Sequence, residues 1–177
     1  LGLRYIGPID GHNIEELIYT FNAIKDMNTP VLLHVFTKKG KGFLSAEEDA
    51  IKYYSMGGVD KSQNPSSIPD YSTVFGNSIT QLAEYDKKII CVTAAMEIGT
   101  GMKPFVNKYP DRYIDVGIAE EHAIVYSSGL SAEGFKPIIP IYSTFMQRAY
   151  DYIMHDALLQ KIPLIYCMDR AGLVGPD

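Results

Sequence analysis

Tryptophan is absent from the 177 residues, and cysteine occurs twice. Cys91 and Cys167 each sit inside an apolar run, which reads as buried thiol and leaves neither a disulfide framework nor a metal-ligand spacing. The missing tryptophan excludes nothing. No apolar run approaches the roughly 20 residues that a helix needs to span a bilayer. Basic residues are not in excess: the net charge of −5 leaves no footprint for nucleic acid. No charged leader opens the chain, so no secretory signal is expected and the cytoplasm is the expected compartment. No strand is followed by a Gly-x-Gly-x-x-Gly turn, which disfavours a plain nucleotide-binding α/β domain. What is present is 46% apolar, enough for a substantial core in one domain or one and a fraction.

Residues 13–27 predict a helix with Ile14, Leu17, Ile18, Phe21 and Ile24 on one face, Asn13 as its cap and Glu16 three residues on. Val31 to Phe36 reads as a strand. From Leu44 to Asp70 periodicity is lost, and Gly57-Gly58 and the polar run Lys61 to Ser67 mark an exposed linker. A fresh α/β unit starts near Tyr71. Its first helix, over 73–84, is expected to turn Val74, Phe75, Ile79 and Leu82 inward. A strand over 89–93, a Gly99-Thr100-Gly101 turn and a short helix to Lys108 follow. Strands at 113–116, 138–141 and 164–168 then alternate with helices at 120–133 and 145–160. Such alternation predicts a parallel sheet with right-handed crossovers. The chain opens with one helix and one strand and stops at Asp177 just past a strand end, so both ends are expected to be cuts in a longer chain.

Ligands of open α/β sheets bind beyond the carboxyl ends of the strands. Three successive strand ends here hold functional side chains. Glu120 follows the first, Tyr142 with Phe145 and Arg148 the second, and Asp169 with Arg170 the third. Strand interiors are apolar on both faces, as buried parallel strands require. This concentration predicts a site for an anion, an aromatic ring and a buried acid. Glu120, flanked by Ile118 and Ala119, is the carboxylate whose proton affinity such a pocket would tune. A first-turn acid that favours the helix dipole accounts for the same residue. The other positions have plainer readings too: core packing for Phe145, ion pairs with Asp151 or Asp169 for Arg148 and Arg170, and a satisfied buried histidine for His122. His34 reads as structural and His155 as packed on its helix. The lysines of Thr37 to Gly42 read as a solvated turn, since no helix N-terminus follows to complete a phosphate cradle.

The runs Tyr5-Ile6-Gly7-Pro8-Ile9-Asp10-Gly11-His12, Thr37 to Gly42, Asp111-Arg112-Tyr113, Gly117-Ile118-Ala119-Glu120-Glu121-His122-Ala123, Tyr142 to Asp151 and Asp169 to Gly175 resemble the 1-deoxy-D-xylulose-5-phosphate synthase family. That family depends on thiamine diphosphate and belongs to the transketolase-like superfamily. The likeness runs from Leu1 to Asp177 and is most specific in the last two runs. The resemblance implies a three-layer, parallel-sheet α/β fold of the thiamine diphosphate-binding, pyrimidine-domain type. The fold would be truncated and preceded by a helix–strand remnant of another domain. Residues 1–43 would be the tail of the diphosphate-binding domain, 44–70 the linker, and 71–177 the pyrimidine-binding domain short of its end. The implied reaction condenses decarboxylated pyruvate with D-glyceraldehyde 3-phosphate to 1-deoxy-D-xylulose 5-phosphate through a thiamine enamine. A homodimer is implied for the whole protein, and this segment alone is expected to be inactive. Another transketolase-like carboligase, or a non-catalytic cofactor-binding or assembly domain, are the alternatives.

Residue roles follow from the same resemblance. Glu120 is the catalytic carboxylate that hydrogen-bonds a pyrimidine ring nitrogen, and His122 is a donor to an intermediate oxygen. Phe43, Glu120 and Phe145 bind cofactor, Phe145 by stacking on the pyrimidine. Tyr142, Arg148, Arg170 and Asp177 bind substrate, the arginines holding the acceptor phosphate, whose geometry suits a planar guanidinium. The family's metal motif, a Gly-Asp-Gly with a downstream asparagine, is missing, so magnesium ligands are expected outside this chain. Phe43 stands where many members have tyrosine, and Tyr54 where a histidine near the reacting centre is common. Glu121 stands where glutamine is frequent, and its charge reads as incidental.

Overall fold

The computed structural model describes residues 2–50, 53 and 68–172, in two compact units, Leu1–Asn64 and Pro65–Asp177. The first unit is a β-α-β element: β1 (Arg4–Asp10), α1 (Ile14–Ile24) and β2 (Val31–Phe36), with the two strands parallel. The expected helix–strand remnant therefore gains a strand in front. The register shifts between Ile6 and Ile9, and that irregularity accommodates Pro8. The Asn13 side chain accepts from the Glu16 N–H at 3.1 Å, which caps α1. The Asn13 N–H donates to the Asp10 carbonyl. α1 stops at Ile24, short of Met27, and Ile14, Ile18 and Phe21 of its expected buried face are exposed. A short helix, α2 (Leu44–Glu48), occupies the start of the expected linker and buries Ala46. Tyr54 and most of that linker lie outside the described residues.

The second unit runs α3 (Tyr71–Tyr85), β3 (Ile89–Thr93), α4 (Lys103–Lys108), β4 (Tyr113–Asp115), α5 (Glu120–Ala132), β5 (Lys136–Tyr142), α6 (Ser143–Met146), α7 (Tyr150–Tyr152) and β6 (Ile165–Asp169). Its sheet has the order β4-β3-β5-β6 with every pair parallel. Alternation of side chains divides the core in two. Ile90, Val92, Ile139 and Ile141 pack on α5 and the segment after β5, while Ile89, Cys91 and Ile138 pack on α3 and α4. Helices thus cover both faces of a parallel sheet, the expected three layers. Burial pushes the Cys91 thiol well above its ordinary range, so it stays protonated.

Four expectations are corrected in this unit. α3 approaches the sheet through small residues, Gly76, Thr80 and Ala83, and leaves Val74 and Leu82 exposed. Gly76 also lets α3 press on the turn before α4, where a Cβ on Gly76 would fall 1.8 Å from the Gly101 carbonyl oxygen. β6 is an edge strand, so Ile165 and Met168 are exposed and its two faces are not both covered. The single helix expected over 145–160 instead begins at Ser143. It winds as α6, a 3-10 turn (Gln147–Ala149), α7 and a π-turn (Ile153–Leu158). In the π-turn His155 is exposed and hydrogen-bonds the Asp156 carboxylate; it does not pack on the helix.

Candidate functional site

The chain leaves β3 toward β4 on one side and later returns to β5 on the other. The sheet's switch point therefore lies between β3 and β5, where open α/β sheets place their ligands. Proline helps to part the strands there. The β3–β5 pairing runs only as far as Cys91 opposite Ile138, and Pro140 has no N–H with which to extend it. The Thr93 hydroxyl takes up the slack by donating to the Pro140 carbonyl at 2.7 Å. Asp115, at the end of β4, accepts from the N–H groups of Ala95 and Gly117 through one oxygen, at 2.8 and 2.9 Å. Both donating positions have positive φ, +58° for Ala95 and +73° for Gly117. The loops after β3 and β4 are thereby clipped together.

Glu120 is the first residue of α5 and is 2% exposed. Ala119 before it offers no side-chain cap, and the carboxylate stands at the positive end of the helix, in a first turn that also holds Glu121. Its partner is Arg148, whose Nη1 lies 3.0 Å from Glu120 Oε2. That approach is an ion-pair contact off the hydrogen-bonding axis, and Oε2 accepts no hydrogen bond. The pair bridges α5 to the segment after β5. Ile118 is 75% exposed and does not wall the acid in.

Phe145 sits three residues before Arg148 on one helical face. Tyr142 stacks on Phe145 with ring centroids 5.9 Å apart. The Arg170 guanidinium carbon lies 3.8 Å from the centroid of the Tyr142 ring. Gly99 makes the floor beneath Tyr142: a Cβ there would come within 1.5 Å of the tyrosine hydroxyl. Met96 Sδ accepts the Tyr142 N–H at 3.3 Å. Asp169, the last residue of β6, contacts Arg170 and also Ser72 of α3. Behind Asp169 is a cavity of about 290 Å³ lined also by Phe75, Thr100, Pro140 and Cys167, and Glu120 takes no part in it.

The structure therefore groups five of the expected residues, Glu120 with Arg148, and Tyr142 with Phe145 and Arg170. Arg148 pairs with Glu120 and not with Asp151 or Asp169, whereas Arg170 does meet Asp169 at 3.4 Å. His122 is exposed, edge-on to Tyr126, two residues from Glu120 and so on a different helical face. Phe43 precedes α2 in the first unit, exposed and edge-on to Tyr53. Asp177 lies outside the described residues. Glu121 hides one carboxylate oxygen without a hydrogen-bond partner. Ser72, Gly99 and Asp115 had no sequence signal beyond their place next to strand ends or in a turn. Among the described residues no three His, Cys, Asp or Glu side chains gather to hold a metal, and no helix is long and apolar enough to cross a membrane.

Comparison with known proteins gives this geometry a lineage. The family model "Transketolase, pyrimidine binding domain" matches residues 68–177, and a model described as 1-deoxy-D-xylulose-5-phosphate synthase matches residues 1–37. The 1-deoxy-D-xylulose-5-phosphate synthase of Thermomicrobium roseum is 51% identical over 100% of this chain and 28% of its own length. Those of a Cyanothece species and of Aquifex aeolicus are 52% and 49% identical, again over 100% of this chain and 29% of theirs. The chain thus spans less than a third of the length of the curated relatives it matches. One solved structure, described as "Split gene transketolase, inactive beta4 tetramer", aligns with a TM-score of 0.49 at 24% identity, covering 53% of this chain and 32% of that one. With a match over residues 68–177 to a domain family named for binding a pyrimidine, the chain belongs to the transketolase pyrimidine-binding domain family.

Proposed function

We propose that this chain is part of a thiamine diphosphate-dependent carboligase that condenses decarboxylated pyruvate with D-glyceraldehyde 3-phosphate to give 1-deoxy-D-xylulose 5-phosphate. The observation that supports it is the buried carboxyl of Glu120, whose Oε2 accepts no hydrogen bond although it stands at a strand-end helix terminus. A buried acid with spare acceptor capacity fits the ring nitrogen of an aminopyrimidine, and the Tyr142–Phe145 stack offers an aromatic neighbour for such a ring. When bound, the cofactor supplies the carbanion that attacks the keto acid. Glu120 holds a proton at the pyrimidine nitrogen, where low dielectric strengthens proton sharing. Arg148 and Arg170 bind the acceptor phosphate, and Tyr142 orients the Arg170 guanidinium. His122, Phe43 and Asp177 are assigned to the site by resemblance alone.

In this reading residues 1–43 close a diphosphate-binding domain, 44–70 link, and 71–177 bind the pyrimidine. Magnesium ligands lie outside the chain, and the whole protein is a cytoplasmic homodimer. The test is an assay of the full-length protein with thiamine diphosphate and magnesium, given pyruvate with and without D-glyceraldehyde 3-phosphate. The expected result is carbon dioxide release accelerated by the aldehyde, with the five-carbon deoxyketose phosphate as product. No release from pyruvate, with turnover of a ketose phosphate donor instead, overturns the choice of donor.

A further inference from the structure

We propose that Asp169 is a positioning residue for acceptor-phosphate recognition, setting the guanidinium of Arg170 while Ser72 holds Asp169 in place. The inference rests on the functional reading above. β6 ends at Asp169, and the next residue, Arg170, adopts φ +52°, a conformation that arginine rarely takes without support. The support is specific. Asp169 Oδ1 accepts the Arg170 backbone N–H at 2.8 Å, and Oδ2 lies 3.4 Å from Arg170 Nη1. Ser143 Oγ donates to the Arg170 carbonyl at 2.7 Å. Ser72 Oγ, from the first turn of α3, donates to Asp169 Oδ2 at 3.1 Å.

One carboxylate therefore receives both the main-chain and the side-chain N–H of a single residue. Such a grip fixes the guanidinium relative to its own backbone turn, with its carbon 3.8 Å from the centroid of the Tyr142 ring. By charge alone a carboxylate beside an anion-binding arginine would weaken phosphate binding. What Asp169 contributes is orientation, and orientation matters most for a planar, two-point contact with a phosphate.

The experiment compares full-length wild type, Asp169→Ala, Asp169→Asn and Ser72→Ala, with D-glyceraldehyde 3-phosphate and with unphosphorylated D-glyceraldehyde as acceptors. For Asp169→Ala the KM for the phosphorylated aldehyde is expected to rise about tenfold or more. The KM for pyruvate and kcat/KM for D-glyceraldehyde are expected to stay within about twofold. Asp169→Asn, whose single amide oxygen keeps an acceptor for the Arg170 N–H but whose amide nitrogen cannot accept from Nη1, restores only part of the loss, and Ser72→Ala shows the same selectivity at smaller size. Equal losses with both aldehydes, or no change with either, overturn the Asp169 assignment while leaving the reaction intact. A wild type that condenses pyruvate with neither aldehyde overturns the functional reading and this assignment with it.

Discussion

Glu120 and Arg148 share an ion pair on unequal terms, because the acid is buried and the arginine side chain is 47% exposed. Removing the arginine strands a buried carboxylate that has no other ion-pair partner among the described residues. Breaking a fully buried pair costs about 3–5 kcal/mol, and the half-exposed partner reduces that to about 1–2 kcal/mol here. Arg148→Ala in the full-length protein is therefore expected to lower stability modestly. It is also expected to raise the KM for D-glyceraldehyde 3-phosphate more than that for pyruvate, as steady-state kinetics with each substrate varied would read. Equal rises would remove the phosphate role and leave only the pairing with Glu120. Gly99 poses a steric question of the same scale. Its Cβ would collide with the Tyr142 hydroxyl, so Gly99→Ala must displace the ring on which Arg170 lies. A misplacement of about 1 Å in a site costs on the order of a hundredfold in rate, and a loss of that size with an unchanged circular dichroism spectrum is expected. Individual residues were legible in the sequence where chemistry clusters at strand ends, as for Glu120, Tyr142, Phe145, Arg148 and Arg170. Asp169 was legible only as a partner for Arg170. Gly99 and Ser72 act through contacts made across the fold, which no local pattern encodes.

Elements were readable wherever burial imposed a period. β3, β5 and the start of α5 lie close to their expected bounds, since buried parallel strands and acids in a helix's first turn leave strong signatures. β1 escaped because its Gly7-Pro8 pair is turn chemistry absorbed by a shift in register. The segment after β5 escaped in part because a period of 3.6 cannot describe a 3-10 turn followed by a π-turn. The α3–β3 connection offers a pH test at this scale. Asp86 ends α3 and receives the Lys136 ammonium of β5 at 2.7 Å and the Lys88 N–H at 2.9 Å. The Lys136 hydrogen bond first, then the Lys88 N–H, hold its carboxyl below the ordinary range. A depressed acid stabilises the fold fully above its unfolded value, about pH 4, and the contribution is lost as pH falls through the lower, folded value. Amide protection in β3 and β5, corrected for the intrinsic pH dependence of exchange and followed from pH 6 downward, is expected to fall less steeply for Asp86→Asn than for wild type over that acid limb. Identical slopes would mean that the clip contributes nothing.

At the scale of the whole chain, the second unit has a core on both faces of β3 and β5, with Ile139 fully buried on β5. Ile139→Ala is expected to cost about 2–5 kcal/mol, as for other large-to-small changes in packed cores. In a longer, multidomain protein one unfolding midpoint is ill-defined, so amide exchange in β3 and β5 is the measurement, and protection there should fall while β1 and β2 keep theirs. Outside that core, Ile14, Ile18, Phe21, Val74 and Leu82 are apolar and exposed. Periodicity could mark these faces as apolar, but it could not say what covers them, because the sequence pattern of a buried face is the same whichever neighbour buries it. The Asp115 carboxylate has a consequence of its own for motion. Two amides from different loops hang on one oxygen, so neither loop can part from Asp115 without changing the acceptor's geometry for the other. The walls after β3 and β4 then behave as a single hinged leaf, and Glu120, five residues past the clip, swings or stays with both.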